Sequence, residues 1–387
     1  TARRLHAEVE AFVSRVEPEE RARRDRDRIV QGVAGAAAAC WAGASVEVYG
    51  SFATGLYLPH SDVDLVVMGA GAAAEKSALQ VLADRLRVLR WCRHINAIET
   101  ATVPVIKLQA DAAFLDPDAA SRDGSAEGGK AGRCIAVDVT LYSDREHLQS
   151  LGVSYSPIEC RDFAVAELGA VPVLRPLVLV LKQLLFRHQL NDSYSGGLSS
   201  HALLLLLIFF FRLVRSCQHV PVDCLPGEAL MAAMDGDVPV DCRFGEWLLR
   251  ALQWLSEFPF DSVGLAVSRE VPGIAFLGRT EDGLAMLTRQ LPLSRVPLAS
   301  RRPTDILHLE DPFNQDVNVA KNSYAWWQVC RVFNAGWLLL NAHHPPAPHL
   351  RIFGGVPEVQ SPLNTLLSLD HAAAPVAGGP GAAAEER

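Results

Sequence analysis

The sequence predicts an α+β chain in two parts, a small mixed-sheet domain ahead of a larger, mostly helical one. Three observations predict this. The 387 residues are too many for one ordinary domain and suit two. Apolar residues make up 49% against 21% charged, so both parts can bury a core. The hydrophobic period changes from helical spacing to alternation near Val46 and returns to helical spacing after Ser143.

In chain order, Leu5, Val9, Phe12, Val13 and Val16 fall at helical spacing and give residues 1–17 one apolar stripe. Glu19–Arg28 is a run of mixed charge, read as a solvated helix face with local ion pairs, with an RNA-facing surface as its rival. An Ala-rich helix then covers Ile29–Trp41. Val46–Tyr49 and Asp64–Met68 read as strands, Ala72–Trp91 as a helix, and Val103–Leu108 and Cys134–Leu141 as further strands. Between the last two, Asp116–Arg133 is a Gly/Ser/Asp-rich surface loop. Helices follow over Val171–His188, Leu198–Val214, Phe244–Ser256 and Tyr324–Leu340, and the low-complexity tail predicts disorder over residues 371–387.

Composition excludes several classes. Eight cysteines with no C-x-x-C pair make neither a disulfide scaffold nor a zinc ribbon, and a reducing, intracellular compartment fits them. The greasiest run, Ala202–Phe211, is half the ~20 residues that a bilayer needs, so no membrane span is expected. A net charge of −8 excludes holding nucleic acid by bulk positive charge. Five lysines stand against thirty-one arginines, so each lysine carries more weight than any one arginine.

The chemistry lies in the run from Tyr49 to Val67, YGSFATGLYLPHSDVDLVV. A strand ends at Gly50-Ser51, where glycine admits a close approach and serine sets a hydroxyl beside backbone N–H groups, a good phosphate contact. Asp62 and Asp64 open the next strand and, with a period of two, leave from one face. Two such acids need a cation, and oxygen-seeking Mg²⁺ beside nucleotide phosphates suits them. Asp138, alone among the apolar residues of Ile135–Val139, needs a partner, and ions held by Asp62 and Asp64 would supply it. Two metals held this way fit phosphoryl transfer.

This G-S, D-x-D, D pattern resembles the DNA polymerase β-like nucleotidyltransferases. The longer string resembles the non-canonical poly(A) polymerases, particularly the catalytic subunit of the nuclear TRAMP RNA-surveillance complex. Arg175–Gln183, Tyr194–Ser200 and Ile306–Tyr324 resemble the same family in order. The resemblance implies a nucleotidyltransferase (palm) domain over 38–150, a helical central domain over 1–37 and 151–370, and an active site in the cleft between them. It implies that Asp62, Asp64 and Asp138 hold two Mg²⁺ or Mn²⁺ ions and that Gly50 and Ser51 meet the triphosphate. Lys182 matches a phosphate-reaching lysine, and as the sole charge in LVLVLKQLLF it should face a cleft; its rival reading is a snorkelling surface lysine. Ser200 falls at the nucleotide. Glu310-Asp311-Pro312 falls near the base, or is a capping turn.

Four departures from the family pattern follow. His201 stands where a base-stacking tyrosine is usual, Ser156 where an asparagine meets the ribose, and Ala320-Lys321 where Gly-Arg is usual. Val317 stands where uridylyltransferases carry histidine. The last favours ATP, with UTP as the runner-up and an inactive scaffold as the other class; three intact aspartates oppose the scaffold. The implied partners are an RNA 3′ end, a zinc-knuckle protein and an RNA helicase. The implied place is the nucleus, with mitochondrion and cytoplasm as alternatives. Gly69–Ala74 loosely fits a dinucleotide loop, but no acid follows about 20 residues on, so it reads as a strand-to-helix connection.

Overall fold

The computed structural model describes residues 2–70, 77–101, 103–115, 134–142, 157–217, 244–269, 273–278, 306–343 and 362–368. The tail at 371–387, the Asp116–Arg133 stretch and Ser156 lie outside the described residues. Helices α1 (Ala2–Val16) and α2 (Glu20–Cys40) open the chain. A five-stranded sheet follows from β1 (Ser45–Tyr49), β2 (Val63–Met68), β3 (Cys92–Ile98), β4 (Val105–Asp111) and β5 (Cys134–Tyr142), with α3 (Gly50–Thr54) and α4 (Ala78–Arg87) between strands. Its order is β1-β2-β5-β4-β3, antiparallel except for the parallel pair β2/β5, so the sheet is mixed as expected.

The edge strand β3 has no counterpart in the sequence reading. Its burial alternates poorly and its register slips between Arg93 and Asn96, so no clean period marks it. In α2 the expected local ion pairs form, Arg24 with Glu20 and Arg28 with Asp25. Arg26 departs from that picture: it is 3% exposed and lies over the Tyr57 ring at 4.8 Å.

The second part comprises α5 (Pro157–Ala170), α6 (Leu174–Arg187), α7 (Ser200–Cys217), α8 (Phe244–Glu257), α9 (Trp326–His343) and α10 (Pro362–Ser368). It also holds a small sheet in the order β7-β6-β8, from β6 (Val263–Val267), β7 (Ile274–Gly278) and β8 (Leu309–Glu310). Ala202–Phe211 is buried all round, as its unbroken apolar run requires, and each such large side chain contributes ~1.5–3 kcal/mol on burial. Among the described residues no single helix is long and apolar enough to cross a membrane.

Two apolar clusters fill the molecule. Leu5, Val9 and Phe12 of α1 belong to the cluster of α6, α7 and α8. Ile29, Val33, Ala36 and Ala37 of α2 belong instead to the cluster under the sheet, with Val63, Leu65, Ile106 and Val137. The border drawn at residue 38 therefore cuts a helix whose apolar face serves the sheet, and we propose a border between α1 and α2.

One buried ion pair ties α5, α7 and the small sheet together. Arg212 donates to Glu167 at 2.6 Å and to the carbonyls of Ser268 and Gly273 at 2.7 and 3.0 Å. Losing one partner strands a buried charge, which costs ~3–5 kcal/mol. Arg212→Met should lower the urea unfolding free energy by about that much, and the double variant Glu167→Leu/Arg212→Met should regain part of it. A single variant that unfolds like the wild type would show that the pair holds nothing.

Candidate active site

The sheet register builds the site. Tyr49 of β1 pairs with Asp64 of β2, Asp64 with Asp138 of β5, Asp138 with Lys107 of β4, and Lys107 with Asn96 of β3. Register partners share a face, so one polar row crosses the sheet beneath the cleft. Asp62 lies two residues before Asp64, and each of Asp62, Asp64 and Asp138 offers a carboxylate oxygen within 4.8 Å of the others. Three acids this close repel unless protonated or neutralised. Burial first, then the charges of Asp62 and Asp138, push the Asp64 carboxyl up to about 7. All-oxygen donors in this arrangement fit a hard divalent cation.

Local geometry holds the acids in place. Leu58-Pro59-His60-Ser61 is a turn closed by the Ser61 N–H donating to the Leu58 carbonyl at 2.9 Å, and proline is favoured at its second position. Arg26 donates to the Ser61 carbonyl at 3.2 Å, fixing the residue before Asp62. Gly50 has φ +64, and a Cβ there would run into the Asp64 carboxylate, so only glycine fits the end of β1. The next residue, Ser51, donates its backbone N–H to Asp64.

The helical part closes the other wall. Arg175 and Lys182 of α6 donate to the carbonyls of Gly55 and Leu56 at 3.3 and 2.8 Å. Lys182 is buried, so it faces the cleft and does not snorkel to the surface. Burial brings its ammonium down to about 8 even though Asp62 and Asp64 favour the charge. At the mouth His60 stacks on Phe186 of α6, with ring centroids 3.6 Å apart. The cleft measures about 820 Å³ and is lined by Gly50, Ser51, Asp62, Asp64, Lys182, Ser200 and His201. That suits a nucleotide.

Not every expected residue points inward. Asp311 is buried, and its Oδ1 accepts from the Phe313 N–H at 2.7 Å, as the capping-turn reading had it. It still faces His201, whose burial lowers the imidazole's pKa against the pull of Asp311, and whose Nε2 has no hydrogen-bond partner among the described residues.

Asp138 also has a partner within the chain that the sequence reading did not name: Lys107 from the neighbouring strand pairs with it. Burial opposes the charge on Lys107, but Asp138, then Asp62 and the Tyr194 phenol, outweigh it and raise the ammonium's pKa. Sequence reasoning passed over Lys107, although the scarcity of lysine and its place in a strand beside that of Asp138 were both visible.

Two expectations follow. Gly50→Ala should abolish divalent-ion and nucleotide binding measured by calorimetry, whereas Gly43→Ala, at φ +85 but in open space, should keep both. Equal binding by the two variants would remove the steric argument. The folded state holds the Asp64 proton where the unfolded chain has lost it, so this stability is present at low pH and lost as pH rises from about 4 to about 7. In EDTA, thermal melts of Asp64→Asn should fall less over that window and exceed the wild type above it; a parallel fall would contradict the shift.

The family model described as the central palm domain of mitochondrial-like poly(A) RNA polymerase matches residues 5–123. Poly(A) RNA polymerase cid14 of Schizosaccharomyces pombe is 26% identical over 375 residues, 95% of this chain and 46% of that protein. The chain therefore spans about half the length of this curated relative. The inactive non-canonical poly(A) RNA polymerase Trf4-2 of Drosophila melanogaster is 31% identical over 340 residues, 87% of this chain and 68% of that one. The polymerase core of TRAMP, an RNA surveillance complex, superposes with a TM-score of 0.63 at 20% identity, covering 95% of this chain and 94% of the other. The polar row, the clustered acids and this likeness over most of both chains agree: the protein belongs to the non-canonical poly(A) RNA polymerase family.

Proposed function

We propose that the chain is a template-independent RNA nucleotidyltransferase that moves AMP from ATP to RNA 3′ ends, acting in RNA surveillance or processing. The observation that carries this is the set of three carboxylates within 4.8 Å, two of which, Asp62 and Asp64, line a nucleotide-sized cleft with Gly50, Ser51 and Lys182. The related Trf4-2 is named inactive, so relationship alone does not carry activity; the intact acids do.

In this reading Asp62, Asp64 and Asp138 hold two divalent ions, Mg²⁺ or Mn²⁺. Such ions offset phosphate charge and make a hydroxyl a better nucleophile. Gly50 and Ser51 present backbone N–H and hydroxyl to the triphosphate at the start of α3, and Lys182 adds an ammonium already held in the cleft. Ser200 and His201 lie toward the ribose and base, with Asp311 acting through His201. The RNA 3′-hydroxyl oxygen bonds to the α-phosphorus as its bond to the β-phosphate oxygen breaks. Pyrophosphate leaves, and the hydroxyl proton passes to an Asp138 carboxylate oxygen. Lys107 keeps that carboxylate oriented.

A chain of net charge −8 needs help to hold RNA; the family resemblance, and not the charge, points to a zinc-knuckle RNA-binding protein and an RNA helicase as the partners and to the nucleus as the place.

The test is 3′ extension of labelled oligo(A) with each NTP in Mg²⁺ or Mn²⁺. ATP should give a ladder, Asp138→Ala should lower its rate by at least ~100-fold, and Lys182→Met should raise the KM for ATP. A ladder with UTP alone would transfer the activity to uridylylation. No extension, together with no ATP binding in a titration, would overturn the enzyme reading.

A further inference from the structure

Helix α6 meets the run from Gly55 to Ser61 at three points. Arg175 and Lys182 donate to the carbonyls of Gly55 and Leu56, and the Phe186 ring stacks on His60 with the ring planes 19° apart. Spacings of seven and four residues put the three side chains on one face of the helix. The third contact differs from the others in kind. The two cations hold backbone carbonyls that any sequence would offer, whereas the stack needs a ring on each wall. Phe186 is also 39% exposed, and both rings line the cleft, so the pair sits at the rim and not in the core.

Position gives the pair a task. His60 lies in the turn closed by the Ser61 N–H on the Leu58 carbonyl, and the Leu58 N–H donates back to the Ser61 hydroxyl at 3.0 Å. Bonded in both directions, this turn is stiff, and Asp62 leaves it at once. On the other wall Phe186 stands about one helical turn beyond Lys182. The stack therefore joins the piece that carries the acids to the piece that carries the ammonium, and of the three contacts it is nearest in the chain to Asp62. A phosphate chain that meets Lys182 and ions at Asp62 and Asp64 spans both pieces, so their separation decides how well it fits. Small errors of placement across such a grip are costly.

We propose that His60 and Phe186 form a clasp that sets the distance between the acids and Lys182, and with it the grip on the nucleotide's triphosphate. This rests on the nucleotidyltransferase reading above and deepens it. Both are positioning residues, acting on the phosphates through Asp62 and Lys182.

Steady-state kinetics on the full chain tests it. In extension of oligo(A), His60→Ala and Phe186→Ala should each raise the KM for ATP about three- to tenfold, the share of one ring pair, with the KM for RNA within about twofold. The double variant should be no worse than either single one, because the second truncation removes a partner already lost. His60→Phe, which restores a ring, should return the KM for ATP to within about twofold of the wild type. As inhibitors of extension, tripolyphosphate should weaken in His60→Ala by the same factor as ATP, while adenosine keeps its strength. Equal weakening of both inhibitors would mark a general loosening of the fold and overturn the proposal. Extension by the wild type, with the KM for ATP unmoved in both single variants or with losses that multiply in the double one, would overturn the clasp and leave the enzyme reading standing. No extension and no ATP binding by the wild type would overturn both.

Discussion

Three carboxylates with oxygens within 4.8 Å of one another repel, and much of the molecule around them answers that repulsion. Within the chain itself it is met in three ways at once. Asp64 takes up a proton more readily than an ordinary aspartate, because burial and its neighbours disfavour its charge. Asp138 is paired with Lys107, which its parallel and antiparallel neighbours place beside it in register. The Ser51 N–H at the start of α3 donates to Asp64, a bond that the bare backbone of Gly50 makes room for. None of these removes the repulsion, and that leaves a site poised for cations to complete.

The second domain enters through the same constraint. Arg175 and Lys182 reach from one helix to the carbonyls of Gly55 and Leu56, so the loop between the Gly50-Ser51 turn and the acids is gripped from the opposite wall. Arg26 does the same from α2 at Ser61. The cleft is thus set by hydrogen bonds to backbone carbonyls, which fix position without depending on loop side chains. Lys182 needs that carbonyl, because a buried ammonium without a partner would cost several kcal/mol. The cation that holds the two parts in place is therefore also the one that faces the nucleotide cleft.

What the sequence disclosed follows from where its periods were strong. Val46–Tyr49, Asp64–Met68 and the run around Asp138 alternate or are solidly apolar, and each forms a strand in the expected neighbourhood. The row that joins Asp64, Asp138 and Lys107 was hidden, because register is decided by pairing between residues as far apart as Asp64 and Asp138, and no local spacing encodes it. Strand β3 was hidden by its bulge and its exposed residues. The small sheet escaped for another reason: β8 has two residues and β7 five, too short for a period. Arg26 was misread because a charge in a charged run reads as solvated, while its burial depends on Tyr57 thirty-one positions later. Gly50, Ser51, Asp62 and Asp64 stood out because they fall within one short run, and Asp138 because it is an acid inside an apolar strand.

The acids are answered by cations from both parts of the molecule. Cations here are few but placed: Lys182 beside Asp62 and Asp64, and Lys107 beside Asp138. One is held by a backbone carbonyl and the other by a carboxylate. The two lysines are therefore unequal: Lys182 joins the two walls through the uncharged backbone, whereas Lys107 answers one of the clustered acids within the sheet.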